Sequence, residues 1–326
     1  MSIRRYRLVA FSIAVGGLAG VLWSTACAQG YPAKPIRVLV GTSAGSNPDT
    51  FGRLFANSLS QVLGQQVIVE NRAGAGGNIG GELAARAPAD GYTIFLPHTN
   101  YTINHAVYRK LNYDIIADFA PVTMLTQSPF VLSVHPSLPV RSVRELLSLA
   151  SARPGDLNYA SAGTGSGTFF ATEYFKALAK INLVQVPYNG GGPALASVVA
   201  GETSVYFTPL AVGLPHFASG RLRPLGVTSP KRLAHVPDIP PVAESVPGYE
   251  MMAWSGLLVP VRTPREIVDT LHKAALAAMA KPEMTRRLDD LGFIVMTGRP
   301  DEMHAFLKSE MAKYAKLIRE IGMPLQ

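Results

Sequence analysis

The hydrophobic positions of the chain fall into two kinds of segment that alternate along most of its length. Short apolar runs predict buried strands, and longer segments with apolar residues at three- and four-residue spacing predict helices. The predicted strands cover residues 36–40, 67–69, 93–96, 131–134, 158–160, 183–186, 205–207, 225–227 and 293–296. Strand–loop–helix units in this order favour an α/β fold with mostly parallel sheets flanked by helices.

Several predicted helices begin at capping residues. Asp49 and Asn78 each stand before a helical pattern, and both are residue types that cap helix N-termini. Residues 142–145 and 263–266 have the spacing of capping boxes, the second with proline at the first helical position. Longer helices are predicted over 168–178, 264–280 and 300–320.

Extended or proline-rich segments interrupt the alternation of predicted strands and helices twice, near 127–131 and 229–252. We interpret them as two crossovers between lobes. The expected organisation is lobe one over 29–128 plus 253–326 and lobe two over 129–252.

Residues 69–80 combine the end of a strand, a glycine-rich turn and the start of a helix. Such turns lie at the carboxyl edge of α/β sheets, where ligands bind. The free N–H groups and partial positive charge of the helix start favour anions. Ile79 stands where the dinucleotide fingerprint needs its third glycine and no P-loop lysine follows, so nucleotide binding is not predicted.

Two further polar loops, 41–49 and 161–168, each join a predicted strand to a predicted helix. Their hydroxyls, amides and backbone N–H groups are donors for an anion. If they face each other across a cleft, they can hold a carboxylate without an arginine. The ligand-binding residues expected here are Ser43, Ala44, Gly45, Ser46, Asn47, Asp49, Ser161, Ala162, Gly163, Thr164, Ser166 and Thr168. Of these, Asp49 is expected mainly to cap the helix and shape the loop, because a carboxylate repels an anion.

Other candidates lie at the ends of predicted strands. Asn100, Tyr188, Phe207 and Thr208 are included in the expected site, although core or hinge positions are equally compatible with the pattern. Trp254 lies near the return crossover and is a weaker candidate of the same kind.

The N-terminus has the pattern of a secretory signal peptide. Arg4, Arg5 and Arg7 precede an uncharged apolar run that ends in a small-x-small cleavage pattern at 26–28. The run is short for a transmembrane helix, which needs about 20 apolar residues. We therefore expect residues 1–28 to be removed and the protein to be periplasmic. Sec and twin-arginine export both remain open, as does lipidation at Cys27.

The composition of the chain limits the kinds of ligand and site that it can have. Cys27 is the only cysteine, so a chain cleaved after Ala28 has no disulfide or thiolate. The formal charge of +8, less the three signal arginines, leaves +5, which weakly suits anionic ligands. The sequence has no long run of Lys and Arg and no stripe of aromatic and basic residues, so nucleic-acid binding is not predicted. The seven histidines show no paired spacing with carboxylates, so no metal and no cofactor are expected.

A series of ordered motifs carries a family resemblance. They are 31–37 (YPAKPIR), 70–80 (ENRAGAGGNIG), 90–93 (DGYT), 118–122 (DFAPV), 157–163 (LNYASAG), 186–188 (VPY) and 227–229 (VTS). Together they resemble the Bug family, the TctC-like extracytoplasmic solute receptors of the tripartite tricarboxylate transporter type. The resemblance runs through essentially the whole chain beyond the signal peptide.

The resemblance implies a two-lobed type II periplasmic-binding-protein fold that closes on its ligand like a hinge. It implies a small organic carboxylate as ligand, membrane subunits of the transporter as partners, and a receptor, here expected to be a monomer, rather than an enzyme. The family usually carries a Pro-Gly-Gly-like run where this chain has residues 43–46, so the hydrogen bonds there differ. Thr208 stands where several relatives carry an acidic residue, which favours plain carboxylates over amino acids.

Two other functions are compatible with parts of the pattern. Gly41, Ser43 and Gly45 form the G-x-S-x-G of a nucleophile elbow, which would make Ser43 the nucleophile of a secreted hydrolase. A soluble sensor that presents its ligand to a membrane kinase would have the same fold and site. The sequence leaves open whether the carboxylate is a di- or tricarboxylate or an aromatic acid.

Overall fold

A computed structural model describes residues 30–234, 236–320 and 322. The predicted signal peptide, residues 1–28, lies outside these ranges. The chain divides into two compact units, residues 1–33 and residues 34–326. The described residues of the first unit contain no helix or strand. No helix among the described residues is both long enough and apolar enough to cross a membrane.

The second unit contains all the described strands and helices. The strands are β1 (Ile36–Val40), β2 (Val67–Asn71), β3 (Thr93–Phe95), β4 (Phe119–Val134), β5 (Asn158–Ser161), β6 (Val184–Pro187), β7 (Val205–Pro209), β8 (Arg223–Val227), β9 (Met252–Pro260) and β10 (Ile294–Val295). The α-helices are α1 (Asn47–Leu63), α2 (Asn78–Ala85), α3 (Asn100–Val107), α4 (Val143–Ala152), α5 (Gly167–Ala179), α6 (Gly191–Val199), α7 (Leu210–Ala218), α8 (Arg265–Met279), α9 (Pro282–Asp290) and α10 (Pro300–Glu320). Short 3-10 turns lie at Ala75–Gly77 and Val242–Glu244.

The strands are hydrogen-bonded in the order β2-β1-β3-β9-β4-β7-β5-β6, with β8 and β10 also paired to β4. Pairing is parallel on both flanks, between β1 and its neighbours β2 and β3 and between β5 and its neighbours β6 and β7. Every pairing of β4 and β9 is antiparallel. The α/β fold predicted from the sequence is confirmed, but the sheet is mixed rather than mostly parallel, because its parallel flanks are joined by an antiparallel centre.

Strand β4 connects two regions of the sheet. It pairs with β9 as far as Pro129 and with β7 from Phe130 onward. We use lobe one for the region of β1–β3 and lobe two for the region of β5–β8. Each lobe has its own buried core, with Leu39 and Phe95 in the first and Phe175 in the second.

Helix α10 packs against both cores. Met303 and Leu307 belong to the core of lobe one, whereas Tyr314 and Ile318 belong to the core of lobe two. The Tyr314 ring meets the Phe170 ring edge-on at 5.0 Å. The prediction assigned 253–326 entirely to lobe one, but the last turns of α10 contact lobe two.

The predicted caps were partly wrong. Helix α1 is capped by Ser46, and Asp49 instead accepts a hydrogen bond from the Gly45 N–H at 2.9 Å. Gly77 precedes α2, while the Asn78 side chain accepts a hydrogen bond from Tyr113.

The two predicted capping boxes also differ. Ser142 caps α4 by accepting from the Glu145 N–H at 3.1 Å, as predicted. Thr263 does not cap α8, because its hydroxyl donates to the Pro260 carbonyl at 2.7 Å and Pro264 precedes the helix.

Candidate functional site

Two adjoining cavities open between lobe one and lobe two. The tryptophan cavity, of about 510 Å³, is lined by Thr42, Ser46, Asn47, Pro48, His98, Thr99, Asn100, Phe130, Ala162, Ser166, Gly167, Thr168, Gly191, Tyr206, Pro209, Ala253, Trp254 and Ser255. The glycine cavity, of about 720 Å³, is lined by Gly41, Thr42, Ser43, Ala73, Gly74, Ala75, Gly76, Gly77, Asn100, Tyr108, Ala162, Gly163, Thr164, Tyr188, Asn189, Gly190 and Gly191. Thr42, Asn100, Ala162 and Gly191 line both cavities and mark their junction.

Four helices begin at these cavities. Asn47, Asn100, Gly167 and Gly191 are the first residues of α1, α3, α5 and α6, and each lines a cavity. The first N–H groups of a helix have no partner within the helix, and the helix dipole places a partial positive charge there. Neither cavity has a Lys, Arg, Asp or Glu among its lining residues. The site therefore offers an anion helix starts and uncharged donor groups rather than a charged side chain.

Local hydrogen bonds orient the loops that enter the cavities. The hydroxyls of Thr42 and Ser46 share a hydrogen bond of 2.7 Å. In lobe two, Ser166 caps α5 by accepting from the Phe169 N–H at 3.2 Å, and Thr168 accepts from the Ala162 N–H at 3.0 Å. These contacts hold the hydroxyls at the cavity walls.

Asn100 joins the two lobes at the junction. Its Oδ1 accepts from the Gly167 N–H at the start of α5 at 2.7 Å, and its Nδ2 donates to the Gly76 carbonyl at 3.2 Å. An amide oxygen from lobe one thus satisfies an N–H at the start of a lobe-two helix, the same kind of donor that a ligand carboxylate would use.

Five cavity-lining side chains carry a buried polar atom without a hydrogen-bond partner. In the tryptophan cavity these are Asn47 Oδ1, His98 Nε2, Tyr206 OH and Trp254 Nε1, and in the glycine cavity the Ser43 Oγ. An unpaired buried polar atom costs about 1–3 kcal/mol, which a ligand or an ordered water can recover.

Burial keeps the titratable side chains of the tryptophan cavity uncharged. It lowers the pKa of His98 to about 3, so the imidazole is neutral at physiological pH. It also raises the pKa of Tyr206 well above its usual value, so the hydroxyl keeps its proton.

The predicted site residues divide into two groups. Those that line a cavity are Ser43, Ser46, Asn47, Asn100, Ala162, Gly163, Thr164, Ser166, Thr168 and Tyr188. Those that line neither cavity are Ala44, Gly45, Asp49, Ser161, Phe207 and Thr208.

Several members of the second group have other partners. Asp49 pairs with Arg53 at 3.0 Å and accepts from Asn71, which shapes the loop before α1. The Thr208 hydroxyl is bonded to Ser133 at 2.6 Å. Phe207 is buried in the core of lobe two, with its ring 5.5 Å from that of Phe175.

Some lining residues were missed by the sequence analysis. His98, Phe130 and Tyr206 carry no motif and lie in or beside apolar strands, where a core position is the default expectation. Its position just after β3 is the one signal that could have found His98. Trp254 was noted only as a weak candidate.

The serine-hydrolase alternative gains no geometric support. The Ser43 Oγ has no hydrogen-bond partner, so no described histidine is placed as its base. The histidine that lines a cavity, His98, is in the tryptophan cavity, whereas Ser43 lines the glycine cavity. Among the residues that the structure describes, no cluster of three or more His, Cys, Asp and Glu could hold a metal.

Comparison with known proteins identifies relatives along nearly the whole chain. Residues 51–323 match the family described as "Tripartite tricarboxylate transporter family receptor". A protein from the tcbD-tcbE intergenic region of a Pseudomonas species is 35% identical over 89% of this chain and 87% of its own length. Protein BugT of Bordetella pertussis is 30% identical over 99% of both chains.

Solved structures have the same fold. An R. palustris protein determined with adipate has a TM-score of 0.88 and 34% identity, covering 91% of this chain and all of that one. The periplasmic binding protein BugD has a TM-score of 0.88 and 29% identity with the same coverage. The two-lobed fold expected from the sequence is thus confirmed.

Proposed function

We propose that this chain, which belongs to the TctC family of tripartite tricarboxylate transporter receptors, is a periplasmic solute-binding protein that captures a small organic carboxylate between its lobes. The observation that carries the proposal is the meeting of four helix starts and five unpaired buried polar atoms in cavities without a charged side chain. The adipate of the R. palustris neighbour supports the same ligand class.

Ligand capture would work by shifting a conformational equilibrium. Unpaired donor groups on cavity-lining side chains come from both lobes, with Ser43 and Trp254 in lobe one and Tyr206 in lobe two. A carboxylate that contacts both sets stabilises the closed arrangement by its differential affinity for it.

The surrounding roles are part of the same proposal. The receptor acts as a monomer, is exported by a signal peptide over 1–28, and delivers its ligand to the membrane subunits of a tripartite tricarboxylate transporter. Its lobes are 29–128 plus 253–326 and 129–252, with the exchange of partners by β4 at Pro129 and Phe130 supporting the first boundary. It has no enzymatic role.

A thermal-shift screen of the exported protein tests the proposal. We expect a saturable rise in melting temperature with one class of carboxylate, since ligand at 100 times its Kd adds about 2.7 kcal/mol to the free energy of unfolding. Corresponding alcohols or amides, which lack the negative charge, should give no rise.

A matched pair of variants localises the effect. Ser43→Ala removes an unpaired hydroxyl at the glycine cavity and should reduce the shift, whereas Ser219→Ala, at an exposed position after α7, should leave it unchanged. Failure of every aliphatic and aromatic acid to stabilise the protein would refute carboxylate capture.

A further inference from the structure

The two lobes touch each other directly beside the cavities, and the closest points of contact are glycines. A β-carbon built on Gly76 of lobe one would lie 3.0 Å from the carbonyl oxygen of Thr164 in lobe two. A β-carbon built on Gly192 of lobe two would lie 3.0 Å from the carbonyl oxygen of Ala44 in lobe one. Both distances are shorter than the optimal separation of non-bonded atoms, about 3.5–4.0 Å. The backbones therefore come this close because neither position carries a side chain.

Two more glycines of lobe two face side chains of lobe one. A β-carbon built on Gly165 would lie 2.7 Å from Oδ1 of Asn104. The Ser43 hydroxyl oxygen occupies the space in which a β-carbon of Gly190 would lie. We call the glycines at which one lobe meets the other the glycine seam, which consists of Gly76, Gly165, Gly190 and Gly192. All of its contacts are between protein atoms, so none of them requires a ligand.

Two hydrogen bonds cross between the lobes next to the glycine seam. The Tyr108 hydroxyl, directly after α3, donates to the Thr164 carbonyl oxygen at 3.4 Å. At the start of α3, the Asn100 Oδ1 accepts from the Gly167 N–H at 2.7 Å. Helix α3 therefore joins lobe one to the loop before α5 at both of its ends.

Contacts between the lobes act on affinity without touching the ligand. They form when the lobes close, so they lower the free energy of the closed form relative to the open form. The apparent Kd of a ligand equals its Kd for the binding-competent form divided by the fraction of the protein in that form. A change in the contacts between the lobes therefore multiplies the Kd of every ligand by the same factor.

We infer that the glycine seam and the Tyr108 hydroxyl set the part of this receptor's affinity that does not depend on which acid it binds. The lobes close to backbone contact at the glycine seam, and a side chain added there holds them apart. This inference rests on the proposed function and adds to it the residues that govern closure.

Gly192→Ala tests the glycine seam at the position that best tolerates a side chain. Gly76, Gly165 and Gly190 have φ angles of +64°, +80° and +118°, which strain any L residue, whereas Gly192 has no positive φ. Gly192 also lines neither cavity. We expect Gly192→Ala to raise the Kd of each acid about tenfold, an effect typical of one overpacked methyl group.

Isothermal titration calorimetry with adipate, glutarate, benzoate and 4-hydroxybenzoate provides the measurement. Gly52→Ala, in α1, is the matched control. The three nearest neighbours of a β-carbon on Gly52, at 3.4–4.0 Å, all belong to lobe one. This variant should therefore have the Kd values of the unaltered protein.

Tyr108→Phe removes one hydrogen bond between the lobes and should raise the Kd of each acid about three- to tenfold. Its control is Tyr174→Phe, because the Tyr174 hydroxyl also donates to a backbone carbonyl, that of Gly248 at 3.0 Å, but within lobe two. Tyr174→Phe should leave every Kd unchanged. Since Tyr108 also lines the glycine cavity, the decisive result is an equal factor for all the acids that bind.

Unchanged Kd values in folded Gly192→Ala, or a loss confined to one acid in either variant, would overturn the inference and leave carboxylate capture standing. No binding of any of these acids to the unaltered protein would overturn both. Alanine before Pro193 is less favourable in a helix, so the thermal unfolding and the binding stoichiometry of each variant are measured as well. A misfolded fraction lowers the stoichiometry but not the affinity, and if Gly192→Ala does not fold, the Kd values of Tyr108→Phe decide.

Discussion

His98 is held in its neutral form by burial, which lowers the pKa of its imidazole from 6.5 to about 3. In the unfolded chain the imidazole titrates at its ordinary pKa. Between about pH 6.5 and 3 the unfolded state therefore binds a proton that the folded state does not, and the free energy of unfolding falls as pH falls. The contribution is fully present above pH 6.5 and is lost toward acid.

This residue-scale effect predicts a measurable slope. The free energy of unfolding, measured with urea at several pH values below 6.5, should fall by about 1.4 kcal/mol for each pH unit through His98 alone. In His98→Gln the slope of this free energy against pH should be smaller by that amount. An identical slope for His98→Gln and the unaltered protein would contradict the assignment.

Single residues also mark the limit of sequence reasoning at the site. Ser43, Asn47 and Asn100 were predicted because they are polar and lie in loops between a strand and a helix. Tyr206 and Trp254 were not distinguished, because an aromatic residue in a strand is usually core. What places them at the site is their position in the wall of the tryptophan cavity, which only tertiary structure reveals.

At the scale of elements, the helix caps have two different roles. Ser166 caps α5 at the cavity, and Ser142 caps α4 away from either cavity. Replacing either serine with alanine should cost about 1 kcal/mol of stability. Only Ser166→Ala should also weaken acid binding, as judged by calorimetry on both variants. Equal weakening by Ser142→Ala would mean that the effect comes from stability rather than from the site.

Strands and helices were predicted correctly where the spacing of hydrophobic residues within the segment is enough to define them. Strands β1, β5 and β7 and helix α10 lie close to their predicted positions. Strand β4 was predicted only over 131–134, because Pro121 and Pro129 interrupt its pattern, yet it runs from Phe119 to Val134. Proline lacks an N–H donor and argues against a central strand. Here the pairing shifts register between Pro121 and Thr123, which accommodates the first proline.

At the scale of the whole molecule, two lobes are connected by β4, by β9 and by α10, which packs on both cores. The sequence indicated the crossovers through their extended segments. It could not indicate that α10 contacts lobe two, because an apolar helix face can pack against either core and its sequence pattern is the same in both cases.

This architecture predicts closure on ligand binding. With the acid that most raises the melting temperature present at saturation, small-angle X-ray scattering should give a smaller radius of gyration than for the free protein. An acid that gives no thermal shift, at the same concentration, is the control. An unchanged radius with the stabilising acid would mean that the ligand enters lobes that are already closed.

The uncharged lining of the cavities has a consequence for delivery. Because no basic side chain neutralises the bound acid, the loaded receptor differs from the empty one by the full charge of its cargo. Nothing in the pocket takes up or gives off a proton as the acid arrives or leaves at neutral pH. An acid released from this site at neutral pH would therefore leave as the anion, without a proton from the protein.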